Sequence, residues 1–207
     1  MGKGLKHLFL LIFLGFFIFG CNEKPKTKKQ KKSSFTLVKM PVVNADSVYG
    51  FVQKQVDFGP RVPNSIAHEK CADWMVNNFK RFGLEVQEQK GVQLAHDGEN
   101  LSFRNIIARQ NPEKKKRILI TAHWDTRPWA DQDSERENEP IDGANDAGSG
   151  VGVIFEIARL LAQKSPNVGV DFVLFDIEDY GKSNGTFCYG SQYWMNNTML
   201  EPNLPSF

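Results

Sequence analysis

The chain has 207 residues, with 26 Lys and Arg against 24 Asp and Glu, a formal charge of +2. The charge is unevenly placed: residues 1–34 carry eight lysines against Glu23, which leaves 18 basic against 23 acidic side chains in residues 35–207. A net acidic body argues against a nucleic-acid partner, and its length suffices for one domain with a sizeable core.

Lys3 and Lys6 precede an uncharged run over 8–20 that ends in Phe19-Gly20-Cys21. As a helix this run rises about 20 Å, short of the ~30 Å hydrocarbon core, so 1–20 reads as a signal peptide rather than a span. A small residue before a cysteine at the end of such a run resembles the lipobox of bacterial lipoproteins. That resemblance implies a lipid on Cys21 and an exported protein anchored in a bacterial cell envelope. Residues 21–34, with six lysines between Lys24 and Lys32, repel themselves and read as an extended tether.

The body begins at residue 35. Asn44-Ala45-Asp46 caps a predicted helix to about residue 56, and Ser65 caps a second over 67–82, where Ala72, Met75, Val76 and Phe79 fall at helical spacing before Gly83. The stretches 84–89, 101–109 and 117–122 alternate or run apolar as strands do. Val151, Ile154, Phe155, Ile157, Ala158 and Leu161 form the stripe of a third helix, and 170–175 is an apolar strand interrupted only by Asp171. Strand, helix, strand in that order predicts a parallel pair joined by a crossover. The expected fold is α/β, with a mixed, mostly parallel sheet and helices on both faces.

In open α/β sheets ligands gather outside the carboxyl ends of the strands. His123-Trp124-Asp125 follows one such end, Glu178-Asp179 follows another, and Gly143-Ala144-Asn145-Asp146 leads into the helix between them. Each group also has a plain structural role open to it: Asp146 as a helix cap, Asp179 as a turn residue before Gly181, His123 as a hydrogen-bonded strand end. Three such coincidences at one sheet edge are harder to accept than a metal site built from imidazole and carboxylates, which suit zinc. Trp124, Trp129, Tyr180 and Trp194 are candidate walls of a small substrate pocket, or ordinary packing. Once Cys21 is set aside, Cys71 and Cys188 remain, either as a disulfide or as two separate thiols.

These motifs resemble the zinc-dependent aminopeptidase and glutaminyl cyclase superfamily, whose order is His-x-Asp, Gly-Ala-x-Asp with small residues behind it, then Glu-Glu or Glu-Asp after an apolar strand. Gly59-Pro60-Arg61-Val62-Pro63 and Gly190-Ser191-Gln192-Tyr193-Trp194 add likeness to the bacterial glutaminyl cyclase branch. The resemblance implies a three-layer sandwich with Asp146 and Asp179 as zinc ligands and Glu178 as general acid/base. In the peptidases His123 would bind a second zinc oriented by Asp125; in single-zinc cyclases both stand behind the ligands. The implied substrates are peptide or protein N-termini, handled by a monomer with one zinc ion in a cyclase or two in an aminopeptidase. The family also takes a further carboxylate and a late histidine from positions beyond residue 207, and no histidine follows Glu178. We therefore expect a domain incomplete at its C-terminus, with little turnover from these residues alone. An exported metal-binding protein without catalysis is the alternative from another class.

Overall fold

The computed structural model describes residues 40–183 and 185–197. The signal peptide, Cys21 and the tether lie outside the described residues.

Helix α1 spans Ala45–Asp57 and α2 spans Ile66–Arg81. The Asn44 side chain accepts from Ser47 N at 3.1 Å, and Ser65 Oγ accepts from His68 N at 3.1 Å, so each first turn has one of its orphan amides satisfied. Gly83, at φ +82°, provides the left-handed residue after α2. Strands β1 (Glu85–Leu94) and β2 (Asn100–Gln110) pair antiparallel through the short turn at Asp97-Gly98. Then come β3 (Arg117–His123), α3 (Gly150–Gln163), β4 (Gly169–Phe175) and α4 (Tyr189–Asn197).

The sheet runs β1-β2-β4-β3. As the crossover order required, β3 and β4 pair parallel, with His123 opposite Phe175. The expectation of a mixed sheet in an α/β fold holds. Among the described residues, however, parallel pairing is confined to that one pair, because β2 runs antiparallel to both β1 and β4. A five-residue turn leaves the first hairpin no other choice.

Both faces are covered. On one, Ile106 and Ala108 of β2 and Val170, Phe172 and Leu174 of β4 pack against α2 and α3. The Phe155 ring of α3 sits at 5.4, 5.2 and 4.9 Å from Phe51, Trp74 and Phe79. Alternate β2 residues, Leu101 and Phe103, face the other way with Ile177 and Tyr180. Helix α4, which the sequence pattern did not reveal, lies on that side, with Tyr193 at 4.8 Å from the Phe103 ring. It can approach because Gly190 has no side chain: a Cβ there would collide with the Asp176 carbonyl oxygen. Ile118 of β3 is 50% exposed.

Cys71 is fully buried and Cys188 exposed, and both are free thiols. Burial pushes the Cys71 thiol up to about 12.

Candidate active site

Because β3 and β4 are parallel and in register, the segments following them leave the sheet at the same edge. Asp125, which is fully buried, ties them together. Its Oδ1 accepts from Glu178 N and its Oδ2 from Asp179 N, both at 3.1 Å. The same carboxylate lies 3.3 Å from His123 Nδ1, and His123 Nε2 is 2.8 Å from Asp146 Oδ1. Burial opposes a charge on this imidazole, but Asp125 and Asp146 outweigh it and hold its pKa at about 9.

Asp146 sits in a wide turn, Ala144–Ser149, just ahead of α3, and the Asp146-Ala147 peptide bond is cis. Arg61 builds this turn from beneath. Fully buried, it donates to Asp142 O at 2.5 Å, Gly143 O at 2.8 Å and Trp124 O at 3.4 Å. Gly143, at φ +59°, is required here because a Cβ would lie 2.8 Å from the Arg61 guanidinium and 2.6 Å from Asp146 O.

Glu178 follows Ile177, a buried β-branched residue at φ +46°, a backbone conformation that persists only where its surroundings enforce it. Those surroundings are visible: Asp176, also buried, accepts from Arg104 N at 2.7 Å and Ile177 N at 2.8 Å and meets His68 Nε2 at 2.8 Å. The His68 ring in turn stacks on Trp124 at 4.3 Å. The Glu178 carboxylate receives Ser191 N at 2.6 Å and Ser191 Oγ at 2.8 Å. Burial nevertheless pushes its pKa up from the ordinary carboxylate range. Asp179 is raised by burial too, against the pull of Arg127, whose Nη1 donates to its Oδ1 at 3.3 Å and its carbonyl at 3.1 Å. The rest of that guanidinium grips Asp131, at 2.9 and 2.6 Å.

Asp146 and Asp179 open onto one cavity of about 750 Å³, walled by the 127–142 loop. Of the four aromatic residues expected to line a pocket, Trp129 does so. Trp124 does not: its indole is fully buried and Nε1 donates to Arg104 O at 3.2 Å, so it belongs to the core. Tyr180 packs 5.2 Å from Trp129 with its hydroxyl donating to Asp97 at 3.1 Å, and Trp194 lies against Phe175 at 5.6 Å.

Residues 105–204 match the family model for Peptidase family M28. The glutaminyl cyclase of Porphyromonas gingivalis is 51% identical and superposes with a TM-score of 0.74 over 76% of this chain and 57% of its own. A Zn-dependent exopeptidase from Parabacteroides distasonis is 45% identical, with a TM-score of 0.76 over 81% of this chain and 59% of its own. The chain resembles peptidase family M28 over its second half. Aminopeptidase YwaD of Bacillus subtilis is 29% identical over 126 residues, 59% of this chain and 25% of that protein. The chain thus spans under two thirds of the length of each of these relatives. Of these similar proteins one is described as a glutaminyl cyclase and another as a Zn-dependent exopeptidase.

The residues of this site fit zinc by their chemistry. Asp146 and Asp179 face a common cavity beside an imidazole, and Asp125 stands behind His123 as carboxylates do when they orient a histidine near a metal. The described residues do not gather three His, Cys, Asp or Glu groups closely enough to hold an ion together. His123 and Asp146 are in direct contact, while Asp179 leans to Arg127.

Four contributors to the site are given no role by the motifs: Arg61, although it lies in the Gly59-Pro60-Arg61-Val62-Pro63 likeness, His68, Arg127 and Asp176. His68 had a signal, since it falls at helical spacing with Ala72, Met75 and Phe79 and therefore on the buried face of α2. For the arginines, whose partners are mostly backbone carbonyls, the sequence carries no sign of which groups they meet.

Proposed function

We propose that the protein, at full length, is a zinc-dependent glutaminyl-peptide cyclotransferase that turns N-terminal glutamine into pyroglutamate and releases ammonia. The observation that carries this reading is the engagement of both His123 ring nitrogens by carboxylates, Nδ1 by Asp125 and Nε2 by Asp146. So held, the imidazole stands behind Asp146 as a support, the place it takes in a single-zinc cyclase. The 51% identity to the Porphyromonas gingivalis cyclase supports the same choice.

Asp146 and Asp179 would hold the zinc, which when bound polarises the side-chain carbonyl of the substrate glutamine. Glu178 takes a proton from the substrate's α-amino group. The freed amine closes on the side-chain carbonyl carbon, and Glu178 returns that proton to the departing nitrogen, giving ammonia and a five-membered lactam. Burial raises the Glu178 carboxyl above the ordinary carboxylate range, which favours its holding the proton between the two transfers. Asp125 holds the 178–179 backbone, and Trp129 offers an apolar wall to the substrate.

The 45% identity to the Zn-dependent exopeptidase supports a second reading, an aminopeptidase in which Glu178 activates water against the first peptide bond. Mass spectrometry of a glutaminyl tripeptide and a leucyl tripeptide separates the two. We expect the first to lose ammonia and the second to persist. Cleavage of the leucyl peptide without cyclisation of the other replaces the cyclase with the peptidase. We further propose that a monomeric body acts on exported peptide or protein N-termini while anchored by lipid on Cys21. Metabolic labelling with palmitate, lost in Cys21→Ala, tests the anchor.

A further inference from the structure

We infer that Ser191 is a positioning residue for the general acid/base, and that its hydroxyl serves Glu178 through the whole proton cycle. The inference rests on the role assigned to Glu178, and it holds for cyclase and peptidase chemistry alike.

Ser191 touches both oxygens of the carboxylate: its amide donates to Oε1 at 2.6 Å and its hydroxyl to Oε2 at 2.8 Å. Two parallel donors from one residue fix the plane of a carboxylate as well as its place. The donor residue is itself fixed. It lies in the first turn of α4, which Asn105 Nδ2 pins through Gly190 O at 2.8 Å, and Cys188 N donates to Glu178 O at 2.9 Å. The loop from Glu178 to Ser191 is therefore closed at its backbone and at its side chain.

A hydroxyl, unlike the amide, can reverse its role. Ser191 Oγ has a second acceptor in Cys188 O at 3.2 Å. While Glu178 is ionised the hydroxyl proton points to Oε2, the nearer acceptor. Once Glu178 has taken the substrate's proton, Ser191 Oγ can accept from Oε2–H and turn its own proton to Cys188 O. Neither form of the carboxyl is then left without a partner in a half-buried site, where an unmet polar group is costly. No proton is gained or lost by Ser191 in this exchange; only the direction of one hydrogen bond changes.

Ser191→Ala keeps the amide bond and removes the hydroxyl, and Ser191→Thr restores a hydroxyl on the same carbon. In the full-length protein we expect Ser191→Ala to lower kcat about 10- to 100-fold with KM within about twofold, and Ser191→Thr to recover most of that loss. A merely structural role would lower Ala and Thr variants together or move KM and thermal stability instead; that pattern, or an unchanged kcat in the Ala variant, overturns the inference. A second readout does not depend on turnover. The ¹³C resonance of the Glu178 carboxyl, assigned by its disappearance in Glu178→Gln, should shift in Ser191→Ala and return in Ser191→Thr. A resonance that ignores Ser191 refutes the contact. Wild-type protein inactive on every peptide, with the resonance still responding to Ser191, refutes the function instead.

Discussion

Asp125 and Asp179 are joined by a single hydrogen bond, Oδ2 accepting the backbone N–H at 3.1 Å, and that bond fastens the segment after β4 to the segment after β3. With Glu178 N and His123 Nδ1 at the other oxygen, both oxygens of Asp125 are engaged. Asp125→Asn puts an NH₂ group against a backbone N–H. Turnover of the active protein should fall by about 100-fold or more, and stability by about 1–3 kcal/mol for the unsatisfied donor, read by steady-state kinetics and urea denaturation.

Beneath that layer, His68 and Asp176 form a buried pair with side chains 3% and 0% exposed. His68→Leu leaves the carboxylate without its side-chain partner in the interior. The loss should be about 1–3 kcal/mol, the cost of leaving one buried polar group without its partner. Combined with Asp176→Asn in a double-mutant cycle, the two losses should be far from additive; strict additivity would mean that the pair is not coupled.

Phe155 is the ring on which the helix layer converges. Phe155→Ala should destabilise by about 3–5 kcal/mol, because rings from both α1 and α2 converge on it and neither helix can close the cavity alone. A loss under about 1 kcal/mol in denaturant titration would show that the layer repacks.

The two described thiols should respond differently. An alkylating reagent at pH 8 should modify the exposed Cys188 in the native protein and reach Cys71 only on unfolding, as peptide mass mapping would show. The folded Cys71 pKa is raised from 9.0 to about 12, so its contribution to stability is intact below pH 9. It is lost as pH rises toward 12, because the unfolded chain then ionises a thiol that the folded chain keeps neutral. Cys71→Ala should flatten that part of the pH-stability curve.

Zinc binding should raise the melting temperature of the full-length protein, since a ligand at 100 times its Kd adds about 2.7 kcal/mol. Asp146→Asn should abolish most of the shift, and a chelator should reverse it. Elemental analysis should find one zinc per chain; two would favour the peptidase.

Much of the fold was legible because its signals are local. Asn44 and Ser65 announce helices by side chains that reach only three residues ahead, and the apolar run over 170–175 announces a strand buried on both faces. The motif residues His123, Asp125, Asp146, Glu178 and Asp179 could be set at one sheet edge from element order alone, since a parallel crossover leaves both strand ends on the same side.

What the sequence could not supply were relationships between segments far apart in the chain. Helix α4 has too weak an apolar pattern of its own and is held by Asn105, Phe103 and the bare Gly190. Trp124 looked like a pocket wall because indoles often are; only the stacking of His68, 56 positions earlier, puts it in the core. Arg61 acts through backbone carbonyls at 124, 142 and 143, which any sequence presents. Local propensity and periodicity determined which residues form the strands and the first three helices. Tertiary packing alone decided which polar groups meet, because a hydrogen bond depends on distance and direction in space rather than on spacing along the chain.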